Sequence, residues 1–166
     1  MPAVIGGSNW ALGLERVTVL NSYYVLEPEV AGDFGPATIL DPSRRPPDVR
    51  VLDYEFTVWL GDDLLTTHPC FIVTDRLRDA LSNSGYTGFD FDEVITSVSE
   101  DFRNVCPNTE LPHFSWWKIC GAPGVDDVGL TIKDQRLVVS ERLIALLRQF
   151  RIEHCLIRKN PYRMGQ

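Results

Sequence analysis

Two stretches of the chain are written almost alike: CFIVTDRLRDAL at 70–81 and RLVVSERLIALL at 136–147. Aligning Val73 with Val139 gives an offset of 66 residues, and Val73-Thr74-Asp75-Arg76-Leu77 then matches Val139-Ser140-Glu141-Arg142-Leu143. Each copy opens on a strand-forming run, Phe71-Ile72-Val73 or Leu137-Val138-Val139. A hydroxyl residue follows, Thr74 or Ser140, suited to accept a hydrogen bond from a free N–H of the first helical turn. The next residue is an acid, Asp75 or Glu141, which favours the positive end of a helix. At both places, therefore, a strand ends and a helix begins within one or two residues. Leu77, Ala80, Leu81 and Ser84 then recur at helical spacing, as do Leu143, Leu146, Leu147 and Phe150. Helices of about ten residues do not persist alone in water. The stripes thus predict short helices at 75–84 and 141–150 that lie against β-strands as scaffold. Arg76 and Arg142 read as solvent-facing helix residues rather than a functional pair.

An extended run follows each helix, Tyr86 to Val98 after the first and Ile152 to Ile157 after the second. Gly85 suits the end of the first helix. If both flanking strands enter one sheet, parallel pairing is expected. The predicted fold class is α+β, with mixed or antiparallel sheets and two short amphipathic helices in a weak internal strand–helix–strand repeat. Residues 1–166 form one domain, divisible into two related lobes at about 1–100 and 101–166. A period of 66 residues is too long for a solenoid. Elsewhere, 1–11 is Gly-rich and loosely held, Val17–Leu26 reads as one or two strands, and the breaker-rich stretch 28–47 as loop. The alternation in VRVLDYEFTVWL at 49–60 predicts a half-buried strand. Residues 101–112 read as loop and HFSWWKIC at 113–120 as a strand.

The formal charge of −7 argues against a phosphate-binding surface, which needs clustered Lys and Arg. It suits solubility, or steering toward a basic protein partner. No apolar run approaches the length of a membrane span and no signal-peptide pattern opens the chain, so the expected location is cytoplasmic. Cys70, Cys106, Cys120 and Cys155 lack the close pairs of a zinc site and read as reduced thiols.

Asp62-Asp63 and Asp126-Asp127 are tempting catalytic or metal-binding pairs. Adjacent strand residues point to opposite faces, however, and neither pair has a histidine beside it in sequence. Turn formation explains both. His68, His113 and His154 match no zinc-protease spacing. A Cys–His pair would have to form between distant segments, such as His113 and Cys155. In Trp116-Trp117 one ring must face each side of the strand. An exposed one would anchor a protein partner; otherwise both are core or covered by a loop. Asp90 and Asp92 share one strand face and present negative charge there.

WWKICGAPGVDDVGLTIKDQRLVVSERLIALLRQFRIEHC, from Trp116 to Cys155, resembles the carboxy-terminal segment of a broad group of small bacterial proteins. Many of these sit beside polymorphic toxins and are taken to be immunity proteins. Trp117, Asp126-Asp127, Val138-Val139-Ser140-Glu141-Arg142 and Ile152 to Ile157 carry the likeness, over about a quarter of the chain. It implies a non-catalytic module that neutralises a basic protein toxin by stoichiometric binding, without a cofactor. Trp117, Asp90, Asp92, Asp126 and Asp127 would then form the partner surface. Two alternatives stay open: a small hydrolase with a carboxylate or Cys–His site, and a structural or oligomerisation module.

Overall fold

The computed structural model describes residues 22–83 and 85–160. The Gly-rich opening, the Val17–Asn21 part of the first predicted strand, and Ser84 lie outside them. The fold is a mixed α+β one in which antiparallel pairing predominates. Its strands are β1 (Tyr23–Glu27), β2 (Gly32–Phe34), β3 (Ile39–Asp41), β4 (Asp48–Val51), β5 (Asp53–Phe56), β6 (Leu64–Thr67), β7 (Cys70–Thr74), β8 (Phe89–Asp92), β9 (Ile95–Val98), β10 (Phe114–Ile119), β11 (Val128–Leu130), β12 (Leu137–Ser140) and β13 (Leu156–Lys159). Three short helices are described: α1 (Asp75–Ser82), α2 (Glu100–Val105) and α3 (Glu141–Leu147). Among the described residues no helix is long and apolar enough to cross a membrane.

Both predicted helices start where the repeated text places them, although α3 ends at Leu147, short of the expected boundary. Leu77 and Leu81 of α1 and Leu143, Ile144 and Leu147 of α3 are buried, as the stripes require. They enter one core between two four-stranded sheets, ordered β6-β7-β10-β8 and β11-β12-β1-β13. Strand alternation splits the middle of the first sheet: Phe71, Val73 and Trp117 point into this core, while Cys70, Ile72, Phe114 and Trp116 point into a second. That second core is closed by the small sheet β2-β5-β9 and by Phe102 of α2.

Several expectations are corrected. The 28–47 stretch is not simply loop, because it contains β2 and β3. The 49–60 run is two strands broken at Leu52. Its apolar face, Leu52, Tyr54 and Phe56, is buried as expected, but Asp53 is buried too, accepting from Ser97 and from the Ala37 amide. Residues 100–105, partly read as loop, form α2, capped by Ser99 Oγ. The final strand starts at Leu156, leaving His154 and Cys155 in the turn before it. The strands flanking α1 run in the same direction without pairing, since antiparallel β10 lies between β7 and β8. β1 lies between β12 and β13 in the same way.

Arg76 and Arg142 do more than face solvent. Arg142 forks onto Asp127, with Nε 2.7 Å from Oδ1 and Nη2 2.6 Å from Oδ2. Ser140 Oγ donates to the same carboxylate at 2.7 Å and the Thr87 amide at 3.0 Å. Asp63 repeats the arrangement, accepting from the Arg76 fork, from Thr74 Oγ1 at 2.6 Å and from the Arg151 amide at 2.8 Å. The Arg142 guanidinium lies over Tyr86 and that of Arg76 over Phe150. Ser140 also caps α3, but Thr74 spends its hydroxyl on Asp63 and makes no side-chain cap.

Burial opposes ionisation of Asp127, but Arg142, the Ser140 hydroxyl and the Thr87 amide outweigh it and hold the carboxyl at about 2. The same balance lowers Asp63. A carboxyl whose folded pKa lies below its unfolded value stabilises the fold above the unfolded pKa and loses that contribution as pH falls. For Asp127 the loss runs from about pH 4 to about pH 2. Denaturant titration across that range is expected to show stability falling, and Asp127→Asn is expected to remove about 2 kcal/mol at neutral pH while flattening this part of the curve.

Candidate functional site

The two carboxylates of Asp62-Asp63 reach the same returning segment. Trp59 Nε1 donates to the Asp62 carbonyl at 3.0 Å and helps fix the turn after β5. Gly61 takes a φ of 106° there, and a Cβ at that position would press on the Arg151 guanidinium. Asp63 holds the Arg151 amide. Asp62 accepts from the amides of Glu153 at 3.2 Å and His154 at 2.8 Å, and its Oδ1 lies 3.0 Å from His154 Nδ1. Asp62 is completely buried, whereas the His154 ring is 40% exposed.

Glu29 completes the group. It follows β1 by two residues and is bridged to Leu65, with the Thr66 amide donating to its carbonyl. It is 7% exposed. Oε1 accepts from the Leu60 amide at 3.2 Å, while Oε2 is buried without a hydrogen-bond partner among the described residues. Glu29, Asp62 and His154 each bring one oxygen or nitrogen atom to within 4.8 Å of the others. Burial raises the Glu29 pKa, with the Leu60 amide opposing and the Asp62 charge adding to the effect. The hydrogen bond to Asp62 raises His154.

This cluster overturns the expectation of a non-catalytic binding module. Two carboxylates and an imidazole bring ligand atoms within 4.8 Å of one another, a set consistent with a structured binding or catalytic site. The sequence hid it because residues 29, 62 and 154 lie on three separate segments. The sequence assigns Asp62 to a turn because no histidine lies beside it, and the histidine is brought in by the segment before β13. Glu29, in the stretch read as loop, gave no signal.

Of the residues expected at a partner surface, Trp117 is inside the protein. Trp117 is fully buried against Phe89, so its ring has no surface to offer, and Trp116 lies in the second core with the Lys118 ammonium 4.6 Å from its ring centroid. Asp127 is spent on Arg142, Ser140 and Thr87. Asp126 is half-buried and accepts from the Ala122 amide at 2.9 Å. Asp90 and Asp92 are exposed on β8, Asp92 lying 3.4 Å from Lys118 Nζ. A Cys–His pair does not form: His113 Nδ1 lies 2.8 Å from Asp75, and Cys155 Sγ faces the Leu156 carbonyl.

Family models, curated proteins and solved structures were all compared with the chain, and none matches it.

All four cysteines are free. Burial pushes the Cys70 and Cys155 thiols up to about 12, with the Asp62 charge adding to the effect on Cys155. A thiol held in that form is a poor nucleophile. Alkylation of the native protein at about pH 8, followed by peptide mass mapping, is expected to label exposed Cys120 first and to reach Cys70 and Cys155 only after unfolding.

Proposed function

We propose that the protein is a small hydrolase of the carboxylate type, with Glu29, Asp62 and His154 as its reaction centre. Glu29 Oε2 carries the reading. A buried carboxylate oxygen without a partner is costly, and the large majority of buried polar atoms in folded chains are paired; Trp117 Nε1 is also buried without a partner, but it lies in the apolar core away from any titratable cluster. A water bound there would satisfy it and lie beside the imidazole, within a set of side chains able to take and return a proton. Its oxygen would be the nucleophile toward an acyl or phosphoryl centre entering from the exposed side of the His154 ring. The inert state of Cys155 favours attack by water over a thiol intermediate.

We infer also that the chain holds two copies of one unit, which bears on this centre. The first copy is β1, β6, β7, α1 and β8; the second is β10, β11, β12, α3 and β13. Support comes from strand orders and registers that correspond throughout. Tyr23 opposes Ser140 as Phe114 opposes Thr74, and Leu26 lies opposite Ile157 as Trp117 lies opposite Phe91. Phe91 and Ile157 keep the 66-residue offset of the repeated text. Each copy lends its first strand to the other's sheet, and the residues after each helix complete the other copy's Asp–Arg pair.

The same registers assign Cys120, Asp126 and Gly88 to the places of Glu29, Asp62 and His154. There the backbone closes on itself: the amides of Cys120 and Gly121 both donate to the Gly88 carbonyl at 2.8 Å. A Cβ on Gly121 would come within 2.8 Å of Asp126 Cβ. Only the aspartate is common to both places, so the shared fold does not require Glu29 or His154, which supports a chemical role for them.

A panel of chromogenic acyl and phosphate esters tests the reading. Wild-type protein is expected to turn over at least one class, with rates falling by about 100-fold or more in His154→Gln and Glu29→Gln while thermal melts stay close to wild type. Wild-type rates no higher than those of both variants on every class would overturn it.

A further inference from the structure

We propose that Glu29, Asp62 and His154 form a binding site for one divalent transition cation, of the zinc or manganese kind. The inference rests on the reaction centre proposed above and specifies what occupies it. It stands on two separate observations. The first is the donor set: two carboxylates and an imidazole, a mixture that suits divalent metals of intermediate hardness, with atoms already within 4.8 Å of one another. The second is the Glu29 side chain itself, a member of that group and more than nine-tenths buried, whose Oε2 has no hydrogen-bond partner among the described residues.

The Asp62–His154 contact fits the same reading. Two ligand atoms about 2.1 Å from one cation sit about 3 Å apart at the right angle of octahedral coordination and about 3.4 Å apart at the tetrahedral angle. Asp62 Oδ1 and His154 Nδ1 are 3.0 Å apart. Without metal, that spacing is held by the proton on Nδ1. With metal, the Nδ1 proton would pass to solvent, Nδ1 would hold the cation with the neutral ring protonated on Nε2, and Glu29 would be the third ligand. The Glu153 amide donates to Asp62 Oδ1 and the His154 amide to Oδ2, and such hydrogen bonds orient a ligating carboxylate. Three protein ligands leave positions for water and substrate, and the exposed side of the His154 ring gives access. Water bound to such a cation loses its proton near neutral pH, so the site itself supplies the nucleophile. The matching place in the other half, with Cys120, Asp126 and Gly88, lacks both the glutamate and the histidine and would hold no cation.

The test uses the full chain, stripped with chelator, in a Cys120→Ser background so that the exposed thiol does not capture zinc. Titration calorimetry with manganese and zinc chlorides is expected to give one site per chain, and either ion is expected to raise the melting temperature. Glu29→Gln and His154→Gln are each expected to weaken binding by at least about 10-fold. Because Oε2 has no partner, metal-free Glu29→Gln is expected to melt at or above the parent temperature; a clearly lower melt would mean a structural role for Oε2 and would overturn the inference. Absence of binding to the parent, or equal affinity in both variants, would also overturn it. Turnover that survives chelation removes the cation and leaves the hydrolase reading standing. Cation binding without turnover of any ester class does the reverse.

Discussion

The structure depends most on two buried carboxylates, Asp63 and Asp127. Each gathers three things that chain entropy would otherwise scatter: the hydroxyl at a strand end, the arginine of the helix that follows, and a backbone amide from a remote segment. An ionised carboxylate in an apolar interior costs several kcal/mol unless its lone pairs are filled, and here all are used. The arginines keep more than half of their side-chain surface in water, which limits the direct ion-pair contribution but also spares the chain the cost of burying a second charge. What the carboxylates give is specificity. They fix where α1 and α3 begin and tie the residues after each helix to the other four-stranded sheet.

That reciprocity explains why one core serves both four-stranded sheets. Leu64, Phe71, Val73 and Leu77 from β6, β7 and α1 meet Val128, Leu137, Val139 and Leu143 from β11, β12 and α3 in the same cluster. A short helix of seven or eight residues has little stability of its own. Here the burial of its leucines and the capture of its first turn by a carboxylate act together. Losing either would loosen the other, because the helix is what holds the arginine in place.

Much of this was legible in the sequence, and the boundary of legibility has a physical cause. Strand ends, helix starts and apolar stripes are local, so Val73-Thr74-Asp75 and Val139-Ser140-Glu141 announced both helices. The alternation through Leu52, Tyr54 and Phe56 likewise announced its buried face. Partners distant along the chain left no such mark. Nothing beside Arg142 says that Asp127 will accept its fork, and nothing beside Asp62 points to His154, 92 residues away. Trp117 misled for the opposite reason: strand periodicity correctly sends the paired rings to opposite faces, but it cannot reveal that β10 is central, with cores on both sides. The 28–47 stretch misled because prolines and glycines outweigh three-residue strands in any local reading.

Asp62 and Asp63 show how the same residue type, one position apart, serves different ends. Asp63 is saturated by donors, and its arginine holds the carboxyl below the usual range despite burial. Asp62 also accepts backbone amides, so turn geometry accounts for part of its place. It does not account for Glu29, whose burial raises its pKa and is only partly offset by one amide. A fold seeking stability alone would place an apolar or fully bonded residue there, since replacing an unsatisfied buried polar group by an apolar one of similar shape is neutral or stabilising. The turn at Gly88, Cys120 and Gly121 follows that economy, with glycines and backbone hydrogen bonds. On the proposed repeat, the contrast between the two places separates what the architecture needs from what Glu29 and His154 add, a cluster consistent with a binding or catalytic site.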